Sequence, residues 1–296
     1  MSPARPDEYQ AAFECLYPSD PGKAAMGLAF VRAGEFGTNP LIVAREGARI
    51  IGTILVHLLP GSPSATVFPP GALDRTTADA LARKAVERLV EAGVKQAQTF
   101  LRPADAARAE PLLRAGFRHM AYFSMQIRTL ELLEVIEPPT GAIFFAPATA
   151  QTPGFATTLE ATYEGTLDCP ELNDLLEIQD VLKSYQHFPK GEAPGWFLVM
   201  EARKPIGVVL LGPGTRAGIV QLSYLGLVPS ARGRGRGRDL LRFALREAAS
   251  RFAECLVVSV DERNSPALQL YVNEHFREYD RQEIYLWSGR RDVSGD

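Results

Sequence analysis

The chain of 296 residues is poor in the residues that build disulfide frameworks and metal sites. Its three cysteines are scattered, and no two of them form a C-x-x-C pair. An odd number of isolated cysteines is typical of reduced thiols, so we predict a cytoplasmic protein. The four histidines show no spacing typical of metal ligands, and we expect no metal cofactor. These residues are Cys15, Cys169, Cys255, His57, His119, His187 and His275.

Long hydrophobic runs and a large excess of one charge are also missing. No apolar run approaches the roughly 18 residues needed to cross a bilayer, and the N-terminus has no apolar signal core. We therefore expect no membrane partner and no export. The net charge is −3 and the basic residues cluster only at 232–242, which argues against a dedicated nucleic-acid binder. The length allows one large domain or two ordinary domains.

Glycine and arginine are concentrated in one short stretch. Residues 219–228 predict a strand that Pro229 ends, and apolar residues at helical spacing resume at Leu240. Glycines let the backbone turn its N–H groups toward a ligand, and a helix that begins there adds unsatisfied donors and the positive end of its dipole. This context predicts a phosphate-binding turn. It consists of Arg232, Gly233, Arg234, Gly235, Arg236, Gly237 and Arg238.

Other glycine-rich templates match this stretch less well. A dinucleotide-binding fingerprint needs G-x-G-x-x-G, whereas the spacing here is G-x-G-x-G. A Walker loop needs Gly-Lys-Ser/Thr, and the one Gly-Lys pair, Gly22-Lys23, is followed by Ala24. Arg-Gly repeats of disordered RNA-binding tails lack a strand before them and an amphipathic helix after them. A purely structural glycine-rich turn stays open as an alternative.

The remaining periodicities predict an alternation of strands and helices. Residues 18–40 give no clear prediction, and residues 60–76 hold four prolines and are predicted mostly as loop, with one short strand at 65–68. Thr76 or Thr77 is the predicted cap of the second predicted helix, and Ser265 that of the last. Helices are predicted at 6–17, 76–92, 104–114, 238–248 and 265–274. Strands are predicted at 41–44, 50–59, 96–101, 120–127, 143–146, 196–201, 206–211, 256–260 and 283–287.

The two halves of the chain resemble each other. Gly52 and Gly207 follow similar strand pairs 155 residues apart, and Phe117 and Phe276 end similar helices 159 residues apart. A duplicated fold explains both offsets. The Pro138-Pro139 region is the best boundary because adjacent prolines stiffen a spacer. We therefore predict domains at 1–130 and 142–290, followed by a polar tail at 291–296.

Two linked motifs in the second half support a family resemblance. The Arg232–Gly237 stretch resembles the Arg/Gln-x-x-Gly-x-Gly/Ala signature of the GNAT N-acetyltransferase superfamily. Asn264, Ala267, Leu270-Tyr271 and Phe276 are similar to that family's N…A…LY…GF segment. The layout resembles tandem two-domain acetyltransferases of the mycothiol synthase type. The resemblance implies an α+β fold with α/β-type layers, in which each GNAT-like domain is a twisted, mostly antiparallel sheet flanked by helices.

The resemblance also implies a site for acetyl-coenzyme A as cosubstrate. The compound would enter a gap between two splayed central strands, with the backbone of Leu225, Leu227 and Val228 along its pantetheine arm and Asn264 near the thioester. The turn Arg232–Arg238 would hold the pyrophosphate. Tyr271 would protonate the departing thiolate, because a phenol of pKa about 10 stays protonated at neutral pH. The alternative for Tyr271 is a half-buried aromatic on an amphipathic face.

The implied reaction is direct attack by a primary amine of a small-molecule acceptor in a ternary complex. Such an amine must first lose a proton. Strand residues Gln221 and Ser223 are unconvincing bases, whereas Glu160, Glu164 and Asp168 are candidates, although a solvated helix face also explains them. Amino acids, polyamines, aminoglycosides, cysteinyl conjugates and protein N-termini all stay open as acceptors.

The first half departs from the family pattern. Its corresponding turn, residues 68–75, has one glycine and two prolines, and Leu112-Leu113 stands where the second half has Leu270-Tyr271. We expect a degenerate copy that does not catalyse. Two other hypotheses stay open for the whole chain, a non-catalytic coenzyme A-binding or sensing protein and RNA binding through the Arg-Gly stretch. The expected assembly is a monomer or homodimer.

Overall fold

The computed structural model describes residues 1–131, 135–139, 143–185 and 195–289, so that His187 and the predicted tail at 291–296 lie outside the described residues. The chain forms two compact units, one made of residues 1–120 with the chain from Glu283 onward, and the other made of residues 121–282. No helix of the described part is long and apolar enough to span a bilayer. Among the same residues, no three His, Cys, Asp or Glu side chains form a metal-binding group.

The first unit is a sheet with helices on both faces. Its elements are β1 (Ser2–Pro3), α1 (Tyr9–Leu16), α2 (Pro21–Arg32), β2 (Leu41–Glu46), β3 (Arg49–Leu58), β4 (Ser64–Ala72), α3 (Arg75–Glu91), β5 (Gln96–Leu101) and α4 (Glu110–Arg114). The strands lie in the order β1-β2-β3-β4-β5, and residues 283–288 pair antiparallel with β5. Only β4 and β5 are parallel neighbours. Leu81, Ala85 and Leu89 of α3 are fully buried against the sheet.

Three features of this unit differ from the sequence-based prediction. Helix α2 was not predicted, although Asp20 caps it by accepting a 2.9 Å hydrogen bond from the Lys23 N–H and Pro21 occupies its first turn. Strand β4 runs through Pro69 and Pro70, two of the four prolines that suggested a loop, because a register shift against β3 accommodates them. The cap of α3 is Asp74, which accepts a 2.8 Å hydrogen bond from the Thr77 N–H, and neither Thr76 nor Thr77.

The second unit repeats this plan. Its elements are β6 (Arg118–Thr129), β7 (Ile143–Ala148), α5 (Phe155–Ala161), α6 (Ile178–Tyr185), β8 (Gly195–Glu201), β9 (Lys204–Pro213), β10 (Ile219–Leu227), α7 (Arg236–Ser250), β11 (Cys255–Asp261), α8 (Ser265–Asn273) and β12 (Arg277–Ser288). The strand order is β7-β8-β9-β10-β11-β6, and among the described strands of this unit only β10 and β11 are parallel neighbours. Both units therefore have a parallel pair at the same place in a mostly antiparallel sheet, as the predicted fold class requires.

Helix α7 supplies much of the core that supports the later site. Its buried face consists of Leu240, Leu241, Ala244, Leu245 and Ala248, at the spacing of one side of an α-helix. These side chains pack against residues of the central strands, such as Val209, Leu222 and Leu256. Each fully buried leucine contributes roughly 1.5–3 kcal/mol relative to an exposed one. The helix that carries the glycine turn at its N-terminus is thereby fixed against β10.

The compact units follow strand pairing and not chain order. Residues 123–129 of β6 pair with β11 inside the second unit, whereas residues 283–288 of β12 complete the sheet of the first. The sequence-based boundary at 129–142 therefore differs from the divisions at 120 and 283. Within the described part of that spacer, Ile136 is buried and its carbonyl accepts a 3.0 Å hydrogen bond from Arg246 Nη1 on α7. A short first strand, β1, which was not among the predicted strands, also precedes the first helix.

Candidate active site

The two parallel strands of the second unit separate part of the way along their length. They pair from Ile219 opposite Cys255 to Leu222 opposite Val258, and beyond that β10 continues only along β9 while β11 continues only along β6. The register of β10 against β9 shifts between Leu222 and Tyr224, so Ser223 is the extra residue of a β-bulge, which bends the strand. A cavity of about 220 Å³ lies beside the separated ends.

Five of the predicted site residues line this one cavity. They come from β10, from the turn after it and from α8 with its cap, and they are Leu225, Leu227, Arg232, Asn264 and Tyr271. Val228 does not line it, and its N–H donates a 3.0 Å hydrogen bond to the Ile206 carbonyl on β9. The other residues of the turn, 233–238, lie beyond the cavity lining at the start of α7. The fold thus brings strand, turn and last helix together as the sequence motifs suggested.

The glycine turn exposes backbone donors. Gly233 and Gly235 have φ angles of +73° and +77°, and a Cβ at either position would meet no atom within 4 Å. Glycine is therefore favoured at these two positions by the positive φ angle, and not by lack of space for a side chain. Gly237 has no such requirement, since an added Cβ would make ordinary contact with Leu270 Cδ2 at 3.4 Å. Within the described chain, the N–H groups of residues 233–235 and 237 donate to no protein acceptor.

Arg232 is directed toward protein carbonyls. Its Nε donates to the Leu227 carbonyl at 3.0 Å, its Nη1 to Gly165 at 3.2 Å and its Nη2 to Thr162 at 2.9 Å. The side chain therefore fastens the loop after α5 to the end of β10. The repeating Arg-Gly sequence gave no way to distinguish this arginine from its neighbours.

The other three arginines of the turn have different surroundings. Arg236 pairs with Glu201 and Asp239, and Arg238 Nε lies 3.1 Å from Glu274 Oε1. Arg234 is exposed and makes no hydrogen bond or ion pair with any described residue. It is thus the arginine of the turn whose charge is fully available to an anion.

Tyr271 extends from α8 to the cavity wall. It is 6% exposed, and its ring packs against that of Phe276 with centroids 5.4 Å apart. Burial raises the pKa of its phenol, and the nearby charge of Asp168 adds to the effect. Its hydroxyl has no hydrogen-bond partner among the described residues, although it borders the cavity. A phenol held neutral at a cavity wall can donate a proton to a group bound there.

Asn264 is the N-terminal cap of α8, a role that the sequence analysis predicted for Ser265. Its Oδ1 accepts a 3.3 Å hydrogen bond from the Ala267 N–H, which makes Asn264 and not Ser265 the cap of α8. Ser265 is the first helical residue, with Pro266 after it. The cap uses the carbonyl of the Asn264 side chain, so its amide nitrogen is left for a ligand in the cavity.

The candidate bases have different environments. Glu160 and Glu164 are exposed and do not line the cavity, whereas Asp168 does. One oxygen of Asp168 accepts a 2.9 Å hydrogen bond from the backbone N–H of Asp261. Burial raises the pKa of the Asp168 carboxyl, and the Asp261 charge reinforces the shift. The alternative from the sequence, a solvent-exposed position without a catalytic role, therefore fits Glu160 and Glu164. It does not fit Asp168.

Three tyrosines that sequence reasoning missed form a cluster that reaches the cavity. Tyr163 and Tyr224 meet edge to face with ring centroids 5.6 Å apart, and Tyr185 lies 6.2 Å from Tyr224. Tyr224 also exchanges a 2.8 Å hydrogen bond with Thr162 and lines the cavity. The three rings come from the loop after α5, from α6 and from β10, so no local spacing connects them in the sequence.

An ion-pair network fixes the loop that carries Asp168. Asp261 is fully buried and accepts hydrogen bonds from the Cys169 N–H at 3.2 Å and from the Arg263 N–H at 2.9 Å. Arg263 also bonds the Asp261 carboxylate and reaches Glu171 on the same loop. Cys169 is buried, and burial raises the pKa of its thiol. The loop after α5 is thus tied to the end of β11.

The parallel pair of the first unit has different surroundings from that of the second. Where β4 and β5 stop pairing, the Thr99 hydroxyl donates to the Val67 carbonyl at 2.7 Å, and Arg108 Nη2 donates to the Pro69 carbonyl at 3.3 Å. Only two residues separate β4 from α3, and the second is the acidic cap Asp74. Side chains of the first unit therefore bond the Val67 and Pro69 carbonyls of β4, and a carboxylate lies at the N-terminus of α3.

Comparisons with known proteins agree with this geometry. Residues 159–276 match the sequence model described as the Acetyltransferase (GNAT) family. A mycothiol acetyltransferase from Frankia alni is 35% identical over 78 residues, which cover 26% of this chain and 23% of that protein. The chain thus spans less than a quarter of that relative.

Solved structures extend the likeness to nearly the whole chain. A GCN5-related N-acetyltransferase from Sphaerobacter thermophilus matches with a TM-score of 0.61 at 16% identity, covering 99% of this chain and 96% of that one. A tandem GNAT protein from the clavulanic acid biosynthesis pathway matches with a TM-score of 0.54 at 15% identity, covering 98% and 99%. At such identities the likeness shows the fold. The predicted resemblance and the predicted tandem fold are confirmed.

Proposed function

Residues 159–276 form a domain of the GNAT acetyltransferase family, and on that premise we propose that the chain transfers an acetyl group from acetyl-coenzyme A to a primary amine of a small-molecule acceptor. One observation carries the proposal. The cavity beside the separated ends of β10 and β11 lies at the C-terminal end of β10. The glycine turn, whose N–H groups have no protein acceptor among the described residues, follows at the same end of that strand. An elongated ligand with an anionic segment and an uncharged arm matches that pair of features.

The turn is the proposed holder of the pyrophosphate. Its N–H groups at 233–235 and 237 and the N-terminus of α7 are suited to phosphate oxygens, and Arg234 adds a charge. The backbone of Leu225 and Leu227 and the amide of Asn264 are the proposed contacts of the pantetheine arm. Arg232, Arg236 and Arg238 act mainly by supporting the turn, since their guanidinium groups already bind protein acceptors.

Tyr271 is the proposed acid. Acetyl-coenzyme A supplies an activated thioester carbonyl, and its departing thiolate needs a proton. The Tyr271 phenol borders the cavity, and burial keeps it protonated across the neutral range. The free thiol has a pKa of about 8.5, below that of the phenol, so the donor stays protonated until the thiolate forms.

Direct attack within a ternary complex is the proposed route. No cysteine is among the described residues that line the cavity, and Cys169 is buried in a loop held by Asp261. A route through an acetylated enzyme thiol therefore has no nucleophile at the site. We also place the activity in the second unit alone, because the first unit lacks the glycine turn and has the carboxylate of Asp74 at the N-terminus of α3. The three free thiols support a cytoplasmic location.

The test is acetyl transfer itself. Purified protein is heated with and without acetyl-coenzyme A, and thiol release is then followed over a panel of primary amines. We expect thermal stabilisation by the cosubstrate and thiol release with at least one amine. The doubly substituted Gly233→Val/Gly235→Val protein is the control and loses both responses. Stabilisation without transfer to any amine supports a coenzyme A-binding or sensing protein, and no stabilisation at all contradicts the proposal.

A further inference from the structure

The acceptor side of the cavity has features that the proposed donor site does not use. Asp168 lines the cavity from the loop after α5, and one of its oxygens is fixed by the Asp261 N–H at 2.9 Å. Its second oxygen has no hydrogen-bond partner among the described residues, and no described Lys, Arg or His side chain forms an ion pair with Asp168. A carboxylate in this position is oriented by the fold but is not neutralised by it.

Nearby cations are already engaged elsewhere. Arg263 divides its guanidinium between Asp261 and Glu171, and Arg232 donates to three backbone carbonyls. Neither group forms an ion pair with Asp168 among the described contacts, although the charge of Arg263 lowers the pKa of that carboxyl. A positively charged ligand group entering the cavity meets an uncompensated carboxylate, which favours an ammonium ion over a neutral hydroxyl.

Tyrosine rings near the cavity reinforce the preference for a cation. Tyr224 and Tyr271 line the same cavity as Asp168, and the ring of Tyr185 lies 6.2 Å from that of Tyr224. Aromatic rings attract cations through their faces, and partly desolvated pairs contribute about 0.5–2 kcal/mol. The Asp168 carboxylate and two of these rings, Tyr224 and Tyr271, therefore border the space that a cation would enter. The bulge at Ser223 brings Tyr224 into this group from the strand that also borders the donor site.

We propose that Asp168 binds the ammonium group of the acceptor and accepts its proton, so that the substrate class is a cationic primary amine; this inference rests on the proposed acetyl transfer. In the proton transfer an N–H bond breaks and an O–H bond forms on the carboxylate, while the electron pair stays on nitrogen. That pair is the nucleophile for the acetyl carbon. As the amide forms, the nitrogen loses a second proton. The Tyr271 phenolate accepts this proton, because Tyr271 has given its own to the departing sulfur. The proton on Asp168 is released to water.

The environment of Asp168 suits a base. Burial raises its pKa, the Asp261 charge adds to this, and the Asp261 N–H and Arg263 oppose it. The other titratable groups that face it are Cys169, Tyr185, Tyr224 and Tyr271, which stay neutral at pH 7 because burial raises each pKa. Asp168 is then active as a base above its own pKa and loses this activity as pH falls through it. The acid limb of kcat/KM therefore lies above the pH expected for an ordinary aspartate.

Binding of a simple probe tests the inference without acetyl transfer. Ligand-observed NMR at pH 7.5 compares propylammonium with 1-propanol, which differs in charge but not in length. The variants are Asp168→Asn, whose amide oxygen still accepts the Asp261 N–H, and Glu164→Gln as the exposed control. We expect wild type and Glu164→Gln to bind propylammonium and not propanol, and Asp168→Asn to bind it at least about tenfold more weakly. Equal binding by Asp168→Asn, or none by wild type, overturns the inference.

Kinetics and cosubstrate binding separate this inference from the proposed function. With the best amine of the panel, Asp168→Asn should lose about 10²–10⁴-fold in kcat/KM and also lose the acid limb of its pH profile, while its affinity for acetyl-coenzyme A is retained. A merely structural aspartate would lower activity at all pH values and keep the limb. If wild type binds no acetyl-coenzyme A, the proposed function fails; if it does and Asp168→Asn keeps the limb, only the role of Asp168 fails.

Discussion

Arg232 and Arg234 lie two residues apart in an apparently uniform repeat, yet the structure assigns them opposite roles. Substituting each by glutamine removes the same charge and leaves the backbone unchanged. Arg232→Gln removes three hydrogen bonds to the Leu227, Gly165 and Thr162 carbonyls. Arg234→Gln removes no contact with any described residue. The pair therefore separates support of the turn from binding at the turn.

The expected sizes follow from these contacts. Hydrogen bonds from a charged donor contribute about 1.5–3 kcal/mol each when buried, but Arg232 is half-buried, so we expect a total loss of about 2 kcal/mol for Arg232→Gln. In a unit of this size each kcal/mol shifts Tm by about 2–4 °C, which predicts a fall of about 4–8 °C. Arg234→Gln should leave Tm unchanged.

Cosubstrate binding should show the reverse order of effects. An exposed charge at a phosphate contributes about 1 kcal/mol, so Arg234→Gln should weaken acetyl-coenzyme A binding about fivefold at low salt. Because the Debye length falls to about 3 Å in 1 M salt, the difference from wild type should disappear there. Calorimetric unfolding and titration at two salt concentrations measure both quantities. A lower Tm for Arg234→Gln, with an unchanged Tm for Arg232→Gln, would refute the assignment.

Other predictions follow from the site and from the first unit. Tyr271→Phe should lower turnover about 10²-fold or more while acetyl-coenzyme A affinity stays within about twofold, as steady-state kinetics and titration would show. Gly235→Ala should weaken cosubstrate binding, since its φ of +77° costs an alanine about 1–2 kcal/mol, whereas Gly237→Ala should not. Hydrogen bonds from Arg45 and from the Arg5 N–H lower the pKa of Glu8 from 4.5 to about 2. Its stabilisation is therefore complete above pH 4.5 and is lost as pH falls toward 2, so Glu8→Gln should flatten acid unfolding in that range.

The sequence predicted the strands and helices best where hydrophobic periodicity agrees with the prolines and glycines that end an element. Strand β5 was predicted with its observed bounds, and the turn between β10 and α7 was predicted from a strand, a proline and a change of period. Helix α2 was missed because its residues, 21–32, include small side chains and two glycines that hide its apolar face. Strand β4 was predicted too short because prolines usually end a strand, whereas here they sit at a register shift.

The candidate site was predictable only where a local motif encodes it. Leu225, Arg232 and Tyr271 belong to two motifs whose strand and helix contexts put them at one cavity. The different environments of the four arginines depend on partners distant in sequence, such as Thr162 and Glu274, which no spacing reveals. The same limit applies to Asp168, which only the bond to Asp261, 93 residues away, orients into the cavity.

The central claim is that one chain has one acetyl-coenzyme A site, formed by the turn after β10 and the adjacent strand gap. Isothermal titration calorimetry of the full chain measures this directly through its stoichiometry, with Gly233→Val/Gly235→Val protein as the matched control. We predict one molecule of acetyl-coenzyme A bound per chain and no binding heat for the control. A stoichiometry of two, undiminished binding by the control, or no heat from the unmodified chain would contradict the claim.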